Sequence, residues 1–415
     1  MPAPHLFVAI PAMDEYDHLP LTLQDLKDQV DVPSFDTYIC VNQPDDYWQQ
    51  PEKRSLCERN MQTLRFLYEE VQHSESGKQN GAAESLHVLD NASPGKGWQG
   101  RKRGVGWARK TLFDTIMQVA GADDLIVSLD ADTRVPADYL HAVTEAMVLH
   151  PEWPALSVPY YHPLTGNDAQ DRAILRYELY MRNYALNLFK IGSPYSFTAL
   201  GSAIVMRVGA LRKIGGITPV QSGEDFYLLQ KFRKMALIGN YCNTTVYPSS
   251  RLSDRVLFGT GPALIKGTHG DWESYPVYHH SLFEGIAETY RLLPQLYRED
   301  VETDFLLFLQ KQFNEKHIWD KIRQNVTDFR HFELAFHQKA DGLRILQYLR
   351  LKHRELPMSA EKSLIENMVQ WIPGKVPSWL KTEATFDDFT TEQMDKIRNL
   401  LFEIENECRR NNFSM

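Results

Sequence analysis

The chain has 415 residues, is 43% hydrophobic and 24% charged, and carries 45 Lys and Arg against 54 Asp and Glu. That length and balance exclude a wholly disordered chain and suit one large catalytic-sized domain with an appendage. The net charge of −9 argues against nucleic acid or an anionic lipid surface as the main partner.

Four scattered cysteines (Cys40, Cys57, Cys242, Cys408) form no CxxC pair, so neither a disulfide framework nor a thiolate zinc site is expected. No apolar run reaches the roughly 18–20 residues of a bilayer span. The Met-Pro-Ala-Pro-His start has no basic n-region, so the expectation is a cytoplasmic protein without a signal peptide.

In chain order, Leu6 to Pro11 is a short apolar run that predicts a buried strand. Leu19 to Val30 predicts a helix with Leu19, Leu23 and Leu26 on one face. Tyr38 to Val41 is a second buried strand, ending at Asn42. The polar stretch after it, about 43–72, reads as an insertion, helical around Ser55 to Glu70. Leu86 to Leu89 is a third strand, Val105 to Val119 a helix by its apolar spacing, and Leu125 to Leu129 a fourth strand running directly into Asp130. Strands that read as continuous apolar runs and alternate with helices indicate an α/β class, a mainly parallel sheet covered on both faces.

Further on, Ala169 to Lys190 predicts a long helix, Ala203 to Met206 a strand, and Val208 to Ile214 a short helix stopped by Gly215-Gly216. Beyond about Ser281 glycine becomes rare and amphipathic helical stretches dominate, including Phe305 to Phe313, Leu343 to Leu351 and Met394 to Ile404. The expected organisation is 1–280 as the main domain, divided into halves at 1–135 and 136–280, with 281–415 a mostly helical C-terminal region.

Three constellations carry chemistry. Asp130-Ala131-Asp132 follows a buried strand, and ligands of open α/β sheets bind beyond the carboxyl ends of the strands. Two carboxylates one residue apart there can hold Mg²⁺ or Mn²⁺ through oxygen and bridge to a diphosphate; an exposed acidic turn would have the same sequence. Glu224-Asp225, after Ser222-Gly223, sits at an expected helix start. Acids there are favoured by the helix dipole alone, or one of them serves as a general base. Lastly, Arg101 to Lys110 packs five cations into ten residues around Gly104 and Gly106, either an anion-binding loop entering a helix or a solvated basic face.

Together these segments resemble the family 2 glycosyltransferases of the GT-A fold. The resemblance runs through Ile10-Pro11-Ala12-Met13-Asp14-Glu15, Gly104 to Arg109, Asp130-Ala131-Asp132, Gly215-Gly216 and Glu224-Asp225, over about residues 5 to 265. It implies a Rossmann-like donor half and a soluble, single-addition, inverting transferase. The donor would be a nucleotide-diphosphate sugar, and the acceptor a hydroxyl on a carbohydrate, small molecule or lipid-linked carrier.

It also implies roles. Pro11, Asp14, Glu15, Asn42, Gly104, Gly106, Arg109 and Asp130 would line the donor, helped by Arg251 and Arg255. Asp130 and Asp132 would hold Mn²⁺ or Mg²⁺, with His269 as a third ligand, and Asp225 would be the base with Glu224 beside it. The helix N-terminus would keep Asp225 ionised.

The sequence departs from the pattern at Asp14, where Asn is usual, and at Val41-Asn42-Gln43, where an Asp pair is frequent, so recognition of uracil by that pair does not carry over. The C-terminal helices are expected to shape an acceptor site, join a homodimer or contact a partner. Two alternatives remain. Ile126 to Thr133 also resembles the hhhhDxDxT strand of haloacid-dehalogenase phosphatases, in which the first Asp attacks phosphorus. A non-catalytic nucleotide- or sugar-binding protein of the same fold would keep the shape without turnover.

Overall fold

The protein is described from a computed structural model covering residues 3–32, 34–76, 85–220, 223–251, 260–381 and 384–413. It divides into two compact units. The first comprises Met1–Gln170, Ala199–Ile265 and Phe413–Met415; the second comprises Asp171–Thr198 and Lys266–Asn412.

The first unit is built on six strands: β1 (Leu6–Ala12), β2 (Phe35–Asn42), β3 (Ser85–Asn91), β4 (Leu125–Ser128), β5 (Ala155–Ser157) and β6 (Ile204–Arg207). Their order in the sheet is β3-β2-β1-β4-β6-β5. β1, β2, β3 and β4 pair in parallel, whereas β6 runs antiparallel to both β4 and β5. The expected α/β class with a mainly parallel sheet is therefore present.

Helices α1 (Leu19–Lys27), α2 (Arg54–Ser76), α3 (Val105–Val119), α4 (Tyr139–Leu149), α6 (Val208–Lys213) and α7 (Glu224–Met235) complete this unit. α5 (Asp168–Lys190) and α8 (Thr260–Thr268) each cross the division between the units. α3 packs on β1 and β2, and α2 packs on β2 and β3. The helix expected within the insertion is α2, longer than its apolar spacing indicates. The wholly buried faces of β1 and β4 explain why those strands read as unbroken apolar runs.

The connections place the site. From β1 the chain moves outward to β2 and β3, then returns to lay β4 on the other side of β1. The order of strands reverses at that pair, and in open α/β sheets the ligand crevice lies beyond the carboxyl ends of such a pair.

The second unit is helical: α9 (Glu284–Arg291), α10 (Leu293–Leu296), α11 (Asp304–Phe313), α12 (Ile318–Asn325), α13 (Phe329–Lys339), α14 (Gly342–Glu355), α15 (Ala360–Trp371) and α16 (Thr391–Phe413), with most of α5. The expected helical C-terminal region is thus present. Its core joins Leu175, Leu179 and Leu186 of α5 to Leu364 and Met368 of α15 and to Ile397 and Leu401 of α16. Among the described residues no helix is long and apolar enough to cross a membrane.

Candidate active site

The crevice is formed by the segments that leave β1 and β4. After β1 the chain turns at Asp14, whose φ of 59° lies in the left-handed region. Asn and Asp tolerate that conformation better than other residues with a side chain, so Asp14 suits the backbone at this turn. The Asp14 N–H donates to Asn60 Oδ1 at 2.8 Å, and its carboxylate accepts from Arg59, both partners coming from α2 in the insertion. Glu15 is buried, and its carbonyl accepts the N–H groups of His18 and Leu19 at the entry to α1.

After β4 the acidic turn is held from below. The Thr133 N–H closes it on the Asp130 carbonyl at 3.1 Å, and buried Thr22 Oγ1 donates to the carbonyls of Ala131 at 2.9 Å and Thr133 at 3.1 Å. With the backbone so fixed, the two aspartates present their carboxylates at the sheet edge. Their side chains remain 38% exposed for Asp130 and 17% for Asp132.

Among the described residues, each aspartate meets an arginine. Arg251 donates from Nε to Asp132 Oδ2 at 2.8 Å and from Nη2 to Glu15. Arg109, buried in α3, donates from Nη2 to Asp130 and from Nη1 to Glu224 at the start of α7. Gly201 makes room for it: a Cβ there would lie 2.1 Å from Arg109 Nη2. Burial alone would lower the Arg109 pKa, but Asp130, Glu224 and Asp225 outweigh it and hold the guanidinium charged.

Asp225 follows Glu224. Its side chain keeps part of its surface in solvent, yet the carboxyl is closely surrounded by protein, and its pKa is raised to about 7. Burial is the largest cause and neighbouring Glu224 the next, against Arg109 and the Phe226 N–H, which donates to Asp225 Oδ1 at 2.7 Å. The expectation that the helix N-terminus keeps Asp225 readily ionised is corrected here. One backbone donor does not overcome desolvation beside a second acid.

The other expected residues take varied positions. Pro11 lies in β1 opposite Cys40 of β2. Asn42 is buried, donates to the Ala12 carbonyl at 3.1 Å and accepts from Trp98 Nε1 at 3.3 Å, so it ties the ends of β1 and β2 together. Gly104 caps α3 with a φ of 86°, and Gly106 packs where a Cβ would lie 2.2 Å from the Val220 carbonyl oxygen. Arg255 lies outside the described residues. His269 is exposed, one residue beyond α8, in the second unit.

Among the described residues, the carboxylates of Glu15, Asp130, Asp132, Glu224 and Asp225 outnumber the guanidinium groups of Arg109 and Arg251. Asp130 and Asp132 supply two hard oxygen donors, the number Mg²⁺ commonly takes from protein when phosphates and water complete its shell. The donor set therefore fits Mg²⁺ or Mn²⁺. In the second unit Asp300, His317 and Asp320 also bring three possible metal ligands together, and there too an arginine, Arg323, bonds both aspartates.

Fold and site together define an α/β unit with an acid-lined crevice at the strand-order reversal of its sheet. Comparison of the sequence with family models and with curated proteins gives no match. Among solved structures, the chain is similar to S. aureus TarS residues 1–349 in complex with UDP-GlcNAc, at 12% identity and a TM-score of 0.40, over 99% of this chain and 92% of that one. The same fragment in complex with UDP gives 12% identity and a TM-score of 0.38, over 98% and 91%. A mycobacterial protein gives 15% identity and a TM-score of 0.32, over 66% and 75%. Likeness at this distance assigns neither substrate nor chemistry.

Proposed function

We propose that the protein is a glycosyltransferase of the family 2, GT-A kind, which moves a sugar from a nucleotide-diphosphate sugar to an acceptor hydroxyl with inversion. The observation that carries the reading is the meeting, through Arg109, of the acid pair after β4 and the acid pair that opens α7. One pair suits a cation and diphosphate; the other offers a carboxylate whose pKa of about 7 matches a general base at neutral pH. The donor class rests on the resemblance of these same segments to the family 2 glycosyltransferases.

A divalent cation, when bound by Asp130 and Asp132, would offset the charge of the departing diphosphate. The protein's own groups do the rest. Arg251, hydrogen-bonded to Asp132, would donate to phosphate oxygens as charge builds on them. Asp225 accepts the proton of the acceptor hydroxyl as its oxygen bonds to the anomeric carbon. The bond from that carbon to the diphosphate oxygen breaks, and the nucleoside diphosphate leaves. Glu224, buried against Arg109, holds the start of α7 in place instead of touching substrate.

The phosphatase alternative would need Asp130 as an attacking nucleophile and gives no role to the acid pair of α7 that Arg109 joins to it. The reading is tested by incubating the protein with Mn²⁺, a panel of nucleotide sugars and a glycan acceptor array, and assigning the anomeric configuration of any product by NMR. An inverted linkage is the expected result. Phosphate release from sugar phosphates without transfer would replace this reading with the phosphatase.

A further inference from the structure

Arg109 is one guanidinium with two commitments. Its Nη2 serves Asp130, a carboxylate of the candidate cation site, and its Nη1 serves Glu224, next to the candidate base. Those partners lie 21 and 115 residues away in sequence, on separate elements. The arginine is buried, and the bare backbone of Gly201 forms the wall against it, so its two commitments are made by one confined group.

We infer that Arg109 is a positioning residue through which cation binding at Asp130 is coupled to the anchoring of the acid pair on α7. The inference rests on the reading of Asp130 and Asp132 as the cation site. With a divalent ion held at Asp130, that carboxylate's charge would be shared with the ion and would attract Arg109 Nη2 less. The nearby charges left to Arg109 are Glu224 and, at longer range, Asp225. Its hold on Glu224 tightens, and with it the first turn of α7. By linkage the effect is reciprocal: whatever strengthens the hold of Arg109 on Asp130 weakens the cation.

Reciprocity makes the inference testable without turnover. Glu224→Gln removes a partner that draws Arg109 away from Asp130, so it should weaken cation binding although Glu224 is not a ligand. Mn²⁺ is titrated calorimetrically into the full-length wild type, Glu224→Gln and Asp225→Asn, with no donor present. Glu224→Gln should raise the Kd at least about fivefold, the lower end of typical coupling between sites. Asp225→Asn removes a carboxyl at the adjacent position with no guanidinium hydrogen bond to Arg109, and should change the Kd less than about twofold.

Equal effects of the two variants, or none from Glu224→Gln, overturn the coupling while leaving the cation site standing. A wild type that binds no Mn²⁺ overturns the cation site itself. Should Glu224→Gln fail to fold, hydrogen exchange of the wild-type segment 223–230 decides the matter. Slower exchange with Mn²⁺ supports the coupling, and unchanged exchange overturns it.

Discussion

At Asp225 two influences oppose each other, and burial wins. The Phe226 N–H and Arg109 favour the carboxylate, while burial and Glu224 favour the acid and raise the pKa to about 7. An acid whose pKa rises on folding binds its proton more tightly in the folded than in the unfolded chain. Its contribution to stability is therefore greatest below the ordinary carboxylate pKa and is lost as pH rises from about 4 to about 7. Denaturant melts of the cation-free protein across that window should show the wild type losing stability relative to Asp225→Asn, and a constant difference would contradict the shift.

For the chemistry, Asp225→Asn should lower kcat about 10²-fold or more while donor affinity stays near wild type, as a positioned base requires. Retention of more than about a tenth of wild-type kcat would remove Asp225 from that role. Asp132→Asn should do the reverse and weaken Mn²⁺-dependent donor binding about tenfold or more, measured by calorimetry.

The acid pairs were legible in the sequence because each lies on consecutive or near-consecutive residues at the end of an element. Arg109 was legible as a cation beside glycines, but its partners were not. Pairing across elements depends on how strands and helices are laid together, and local spacing does not record it. Arg59 and Asn60, which hold Asp14, were missed because they lie on α2, some 45 residues along the chain, and nothing in local spacing ties that helix to the end of β1.

Among the elements, α5 and α16 are joined by a buried ionic network within the second unit. Glu178 accepts from Arg182 and Arg398, Glu405 accepts from Arg182 and Arg409, and all five side chains are at most 1% exposed. Arg182 Nη1 lies 2.6 Å from Glu405 and Arg398 Nη1 2.9 Å from Glu178. Removing one partner of such a network leaves a buried charge uncompensated. Glu405→Gln should cost about 3–5 kcal/mol in denaturant melts followed by circular dichroism. Glu392→Gln, on the same helix but in an exposed pair with Lys396, should leave the melt unchanged.

Apolar spacing revealed both helices, though not this polar seam, because charges on an amphipathic helix read as its solvated side. β5 escaped notice for a different reason: three residues are too few to establish a period. The antiparallel course of β6 was equally invisible, since a strand buried within a sheet reads the same in either direction.

At the scale of the whole molecule, the class of the sheet and the helical character of the C-terminal region followed from composition and periodicity. Asp171–Thr198 groups with the later helices because α5 contributes Leu175, Leu179 and Leu186 to their core, a contact between distant segments.

The central claim is that the acid-lined crevice binds a nucleotide-diphosphate sugar through a divalent cation. It is tested most directly by thermal melting of the full-length protein against UDP, GDP, ADP and their sugars, each with Mn²⁺ and again with EDTA. Ligand linkage predicts that one nucleotide series raises the Tm in Mn²⁺, by RT ln(1 + [L]/Kd) in free energy, and loses the effect in EDTA. A Tm unmoved by every nucleotide, or raised equally in EDTA, would contradict it.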